Sequence, residues 1–216
     1  MIDELELLKK DWQKKEEHLP KLSYEEIHNM LWKKSSSIVK WILIISILEF
    51  TLPHLLYLVP SFQDNMEIYD KLGLHNYIIG LTIFTYGVAF YFILQFYRRY
   101  KEISVLDSSK NLMRKIIRTR TTVKHYIIYS LSMIMVIVVM MIIGVYFDDD
   151  IFSSFSQLQD KAESISAEKI KISIMIAMAV MGVVLTALMA GIYFLLYGLL
   201  LRKLKRNYNE LKQLEV

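Results

Sequence analysis

The sequence predicts an all-α polytopic membrane protein: a bundle of four transmembrane helices with short amphipathic helices at its cytoplasmic N-terminus. Three observations predict it. Of 216 residues, 54% are hydrophobic and the mean hydropathy is +0.33, more apolar than a soluble domain of this size. Four stretches each supply the ~20 apolar residues that a helix needs to cross a bilayer. Basic residues gather in alternate connections, the pattern of a chain that weaves through a membrane. The short alternating segments of a transmembrane barrel are absent.

Residues 1–37 form a cytoplasmic segment in which lysines and acids nearly balance. This is not a simple polybasic anchor. Leu5, Leu8 and Trp12 fall at i, i+3 and i+7 and make one apolar stripe on a short helix. Asp3 can cap that helix, and Pro20 ends it. "KLSYEEI" starts a second helix. Ser23 is the N-cap, Glu26 its capping-box partner, and Leu22 and Ile27 can form the hydrophobic staple. Ile27 and Leu31 continue an apolar stripe towards the membrane. The segment is too small for an enzyme domain. Its stripes can lie on the membrane surface or pack on a C-terminal stripe of Leu204, Tyr208, Leu211 and Leu214. They can also seat in a partner's groove, with Leu5, Leu8, Trp12, Ile27 and Leu31 as the anchors.

The first span covers residues 38–60 and needs no cleavable signal, since it can serve as its own targeting segment. Trp32, Trp41 and Lys33, Lys34 and Lys40 suit the membrane interface. Ser35, Ser36 and Ser37 read as a polar boundary that tolerates a bend. Glu49 falls near mid-span, where a charge costs ~2.5–3.5 kcal/mol. Tyr86 and Thr186 come near its depth, so a hydrogen bond from either is the expected clamp, with Thr82 and Thr85 nearby. Pro53, four residues on, removes a backbone hydrogen bond and predicts a helix kink. A structural acid beside a packing kink and a proton or ion site near a broken helix are both open.

Residues 61–76 form an external loop and 77–97 the second span. The connection 98–125 is the basic cytoplasmic loop: from Arg98 to Lys124 it has nine Lys/Arg against two acids. Within it, "DSSKNLMRKIIRTR" can form a basic amphipathic helix capped near Asp107 or Ser108, with Leu112, Ile116 and Ile117 on its apolar side. It is expected to lie on the membrane surface. The third span, 126–147, has no acid or base. Residues 148–171 form an acidic external loop, in which "SSFSQLQDKAESISAEKIK" can make a polar helix. The fourth span, 172–201, has small residues at Gly182, Thr186 and Ala190 and at Ala187 and Gly191, the four-residue spacing of close helix approach or of a homo-oligomer. The tail, 202–216, has five Lys/Arg against two acids. The positive-inside rule therefore places both termini in the cytoplasm. The basic residues satisfy topology and suit anionic lipid, and no nucleic-acid motif accompanies them.

No catalytic machinery is legible. The chain has no cysteine, which excludes disulfides, thiol catalysis and thiolate metal sites. Phosphate loops, dinucleotide fingerprints and nucleophile elbows are absent. His18, His28, His54, His75 and His125 are spread along the chain and over both sides. No metal or other cofactor is expected.

The stretch "LLKKDWQKKEEHLPKLSYEEIHNMLWKKSSSIVKWILIISILEF", Leu7 to Phe50, resembles the opening of a family of four-span membrane proteins of Bacteroidota, flavobacteria especially. The four spans carry the resemblance more loosely over the whole chain. It implies a bacterial inner membrane location. Association of such proteins with sigma-factor genes implies a membrane-bound, anti-sigma-like role. Some similar sequences carry a beta-carotene oxygenase label, but the scattered histidines do not supply converging iron ligands. The leading expectation is a non-enzymatic membrane regulator, anti-sigma-like, that holds a sigma factor or other cytoplasmic protein through its N-terminal segment. The alternative is a small transporter or channel component with an intramembrane Glu49 site.

Overall fold

A computed structural model describes residues 23–56, 66–104, 107–148 and 166–214. Leu5, Leu8, Trp12 and Leu22, and most of the acidic connection 148–171, lie outside the described residues. Every element among the described residues is helical. Helix α1 is Tyr24–Leu56, α2 Met66–Lys71, α3 His75–Ser104, α4 Ser109–Phe147 and α5 Ala167–Tyr193. A π turn, Phe194–Gly198, joins α5 directly to α6, Leu199–Leu214. Four helical stretches are long and apolar enough to cross a membrane. The chain is an all-α four-helix membrane protein.

Helix α1 opens at the expected capping box. The Ser23 N–H donates to Glu26 Oε2 at 2.7 Å, and the Glu26 N–H donates to Ser23 Oγ at 3.2 Å. Two of the orphan donors at a helix start are satisfied this way. From there α1 runs unbroken for 33 residues. The helix runs on through the serine triplet without a break. Ser35 is fully buried and its hydroxyl accepts from Asn207 Nδ2 at 3.0 Å. Its polarity serves a contact with α6, so the helix has no reason to bend there. Pro53 also lies within the helix, three residues before its end at Leu56.

The basic connection differs from expectation in the same way. Its apolar stripe does not lie on the membrane surface. It is the first part of α4, one helix of 39 residues, about 58 Å long. Leu112, Ile116, Thr119, Val123 and Tyr126 recur every three or four residues and are all buried. That is the repeat of a helix packed in a bundle. Ile117, expected on the same side, is 47% exposed and lies off this seam.

The first cations met from the apolar spans are Lys40 on α1, Arg98 on α3, Lys124 on α4 and Arg202 on α6. Beyond that level the bundle continues. Residues 24–39 of α1 extend it by about 24 Å. There Leu31, Val39, Ile103, Leu112, Ile116, Leu204 and Leu211 form one core. The Trp32 indole N–H donates to the Ile103 carbonyl at 2.7 Å, the hydroxyls of Tyr24 and Ser109 lie 2.7 Å apart, and Lys115 Nζ donates to the Glu102 carbonyl at 2.8 Å. A smaller cluster of Leu72, Leu74, Val145 and Ile170 closes the opposite end. Between the two ends, large apolar side chains such as Leu48, Ile83 and Met181 are more than half exposed and present surface to lipid.

This packing corrects one set of anchors. Leu31 is only 3% exposed, inside the core, and Ile27 packs against that core. Leu31 is thus spent inside the chain, in the same core as Leu204 and Leu211, while Ile27 is only partly covered.

Candidate functional site

Glu49 follows Val39, Ile42 and Ser46, all buried, at the helical spacing that turns one face of α1 into the bundle. Its carboxylate meets two tyrosines. The Tyr197 hydroxyl donates to Oε2 at 2.9 Å, and the Tyr193 hydroxyl donates to Oε1. Both donors are buried. Two such donors reduce the ~2.5–3.5 kcal/mol that an acidic side chain costs near mid-span.

The two tyrosines stand on a rigid aromatic platform. Tyr126 of α4 meets the Tyr193 ring edge-on at 6.2 Å and the Tyr197 ring at 5.8 Å. Phe92 and Phe96 of α3 pack on Tyr126 at 5.4 and 5.5 Å. Such edge-on pairs add to the burial of the rings. The π turn lies where the tyrosines bond Glu49. The Phe194 N–H is shared between the carbonyls of Ala190 and Gly191. Gly198 lets the Phe194 ring come close, since a Cβ there would sit 3.1 Å from Phe194 Cδ2. The Arg202 guanidinium covers the same ring at 4.8 Å, a cation–π contact. A π turn inside an α-helix is often found at functional positions.

Glu49 also borders a cavity of about 340 Å³. Four helices line it, with Phe50, Tyr86, Tyr126, Tyr129 and Tyr193 as its aromatic wall. The hydroxyls of Ser46 and Thr85 donate to their own helix, to the carbonyls of Leu43 and Leu81 at 2.8 Å each. The Tyr129 hydroxyl is buried with no hydrogen-bond partner. Past Phe50, the side chains of Thr51, Leu52, Pro53 and Leu55 are exposed, and α1 scarcely touches α5. The cavity therefore sits where helices joined at the basic end begin to part.

Sequence reasoning finds the acid but only some of its surroundings. Tyr86 is brought to the cavity and packs edge-on against Phe50 at 5.8 Å. Thr186 is not brought to Glu49. Its hydroxyl donates to the Gly182 carbonyl at 2.8 Å and lies 3.3 Å from Met135 Sδ. Gly182 itself meets α4, where a Cβ would come within 2.5 Å of Val138 Cγ1. Ala187 and Gly191 are exposed. Tyr193, Tyr197 and Tyr126 were missed, and the available signal was the i, i+4 tyrosine pair in "YFLLY".

Outside the spans, Asp107 organises the start of α4. The Asn111 amide above all, then Lys115 Nζ and the Ser108 N–H, hold its carboxyl down at about 2. The Lys115 ammonium lies 3.0 Å from Asp107 Oδ2. A second opening, about 400 Å³, lies between α3 and α4 beside Arg99, Arg118 and His125. Arg99 is paired with Glu102 at 3.0 Å. No group of three or more His, Asp or Glu side chains able to hold a metal occurs among the described residues.

Residues 25–216 match the family described as Domain of unknown function (DUF8845), and the chain belongs to that family. No curated protein and no solved structure matches it.

Proposed function

We propose that the chain is a small transport or channel component of a bacterial inner membrane, with Glu49 as its intramembrane binding site. One observation carries this reading: a carboxylate inside the span, held by two tyrosine hydroxyls, forms part of the wall of a cavity. A buried structural acid needs only its hydrogen-bond donors. A binding site also needs room beside the charge, and here there is room. The positive-inside rule supports a cytoplasmic position for the basic end and for both termini. The regulator reading keeps Leu5, Leu8 and Trp12, with Ile27 half-covered, but loses Leu31 to the core; the observation above favours Glu49.

Infrared difference spectroscopy of the full chain in lipid tests this. A carboxyl band should titrate with pH, disappear in Glu49→Gln, and move its midpoint in Tyr197→Phe. A Glu49 band that neither titrates over the range in which the chain is folded nor shifts on addition of any solute would sink the proposal.

A further inference from the structure

We infer that the Glu49 cavity selects a lipophilic organic cation, in preference to a metal ion, an anion or a neutral solute. The inference rests on the reading of Glu49 as a ligand site and names the class of ligand. Charge gives the sign. Among the described residues, Glu49 is the one carboxylic acid in the wall, and no lysine, arginine or histidine lines it. An anion would meet uncompensated repulsion in a medium that screens little.

Lining gives the kind of cation. A metal ion requires several oxygen ligands. Glu49 is the one carboxylate among the described lining residues; the other side-chain oxygens there are neutral hydroxyls, and those of Ser46 and Thr85 already donate to helix carbonyls. Aromatic rings are plentiful instead: Phe50, Tyr86, Tyr126, Tyr129 and Tyr193 share the wall. A ring face attracts a weakly hydrated cation, and a desolvated contact contributes about 2 kcal/mol or more. The volume, about 340 Å³, falls at the lower end of the range for small organic ligands. Access does not require water. Tyr86 is 40% exposed, so the cavity reaches the surface of the transmembrane region, where an apolar cation concentrates. The unpartnered Tyr129 oxygen supplies an acceptor for a ligand N–H, which accounts for a buried polar atom otherwise left unsatisfied.

The test is equilibrium binding of radiolabelled tetraphenylphosphonium to the full chain in nanodiscs, with tetraphenylborate as an anion of the same shape. The cation should bind, the borate should not compete, and Glu49→Gln should weaken binding at least tenfold. Phe50→Leu and Tyr86→Leu should each weaken it by roughly 2- to 30-fold. These two stand at the rim and guard against misfolding of the Glu49 variant. Equal binding of phosphonium and borate overturns the inference, as does undiminished binding to Glu49→Gln. If phosphonium fails to bind while the Glu49 infrared band still titrates, the organic-cation inference falls and the ligand-site reading stands. If neither is seen, both fall.

Discussion

Tyr197 carries a hydrogen bond and a ring contact that substitution can separate. Tyr197→Phe removes the 2.9 Å bond to Glu49 and keeps the ring on Tyr126. Interhelical hydrogen bonds in membranes average ~0.6 kcal/mol and reach ~1.7 kcal/mol. We expect a loss in that range, towards its upper end because the acceptor is a carboxylate, measured by reversible unfolding in mixed micelles. A second expectation concerns Asp107, whose carboxyl lies at about 2 against an ordinary 3.8. Its folded pKa is depressed, so its contribution is present above about pH 4 and is lost as pH falls towards 2. Protection factors at the first amides of α4, corrected for the intrinsic pH dependence of exchange, should be flat with pH above that window and fall within it. Asp107→Asn should remove the dependence. At this scale the sequence showed Glu49 clearly and its donors poorly. Matching depths assumed four spans centred on one plane. In the fold Glu49 meets Tyr193 and Tyr197, about two and a half and one and a half turns from Arg202, past the midpoint of the fourth span, where Thr186 lies.

Among the elements, the π turn has the most to test. It inserts an extra residue between α5 and α6, and each helical residue turns the chain by about 100°. Deleting Leu195 should convert the turn to α-helix and rotate α6 by that amount. Leu204, Asn207 and Leu211 would then leave the core. Because the chain has no cysteine, the pair Ser35→Cys and Asn207→Cys gives a clean report: a short thiol crosslinker should bridge it, and should fail after the deletion. The long helix α4 is tested by Ile116→Ala. The side chain is fully buried, so the loss should be about 2–5 kcal/mol; a surface-lying connector would lose almost nothing. The existence of all four spans, the capping box and the seam of Leu112 and Ile116 were legible, since each is a local pattern. The continuity of helices through Ser35 and Lys124 was not. Hydropathy marks where the apolar run stops, whereas a helix stops only where its packing does.

For the whole molecule, the charge distribution makes a topological prediction. In intact cells an impermeant maleimide should label Lys169→Cys, and should reach Lys110→Cys only after the membrane is opened. The reverse pattern would invert the orientation proposed above. The bond between Asn207 and Ser35 spans 172 positions of chain, and this has a consequence for biosynthesis. The core beyond the membrane needs α6, which leaves the ribosome after every other described helix. Until then α6 does not cover the Leu31 and Val39 face of α1 or the Leu112 and Ile116 face of α4, which in the orientation proposed above stand on the side where translation takes place. Completion of α6 is thus the event that closes this core, and a chain interrupted before residue 199 would lack the Leu201, Leu204 and Leu211 that complete it.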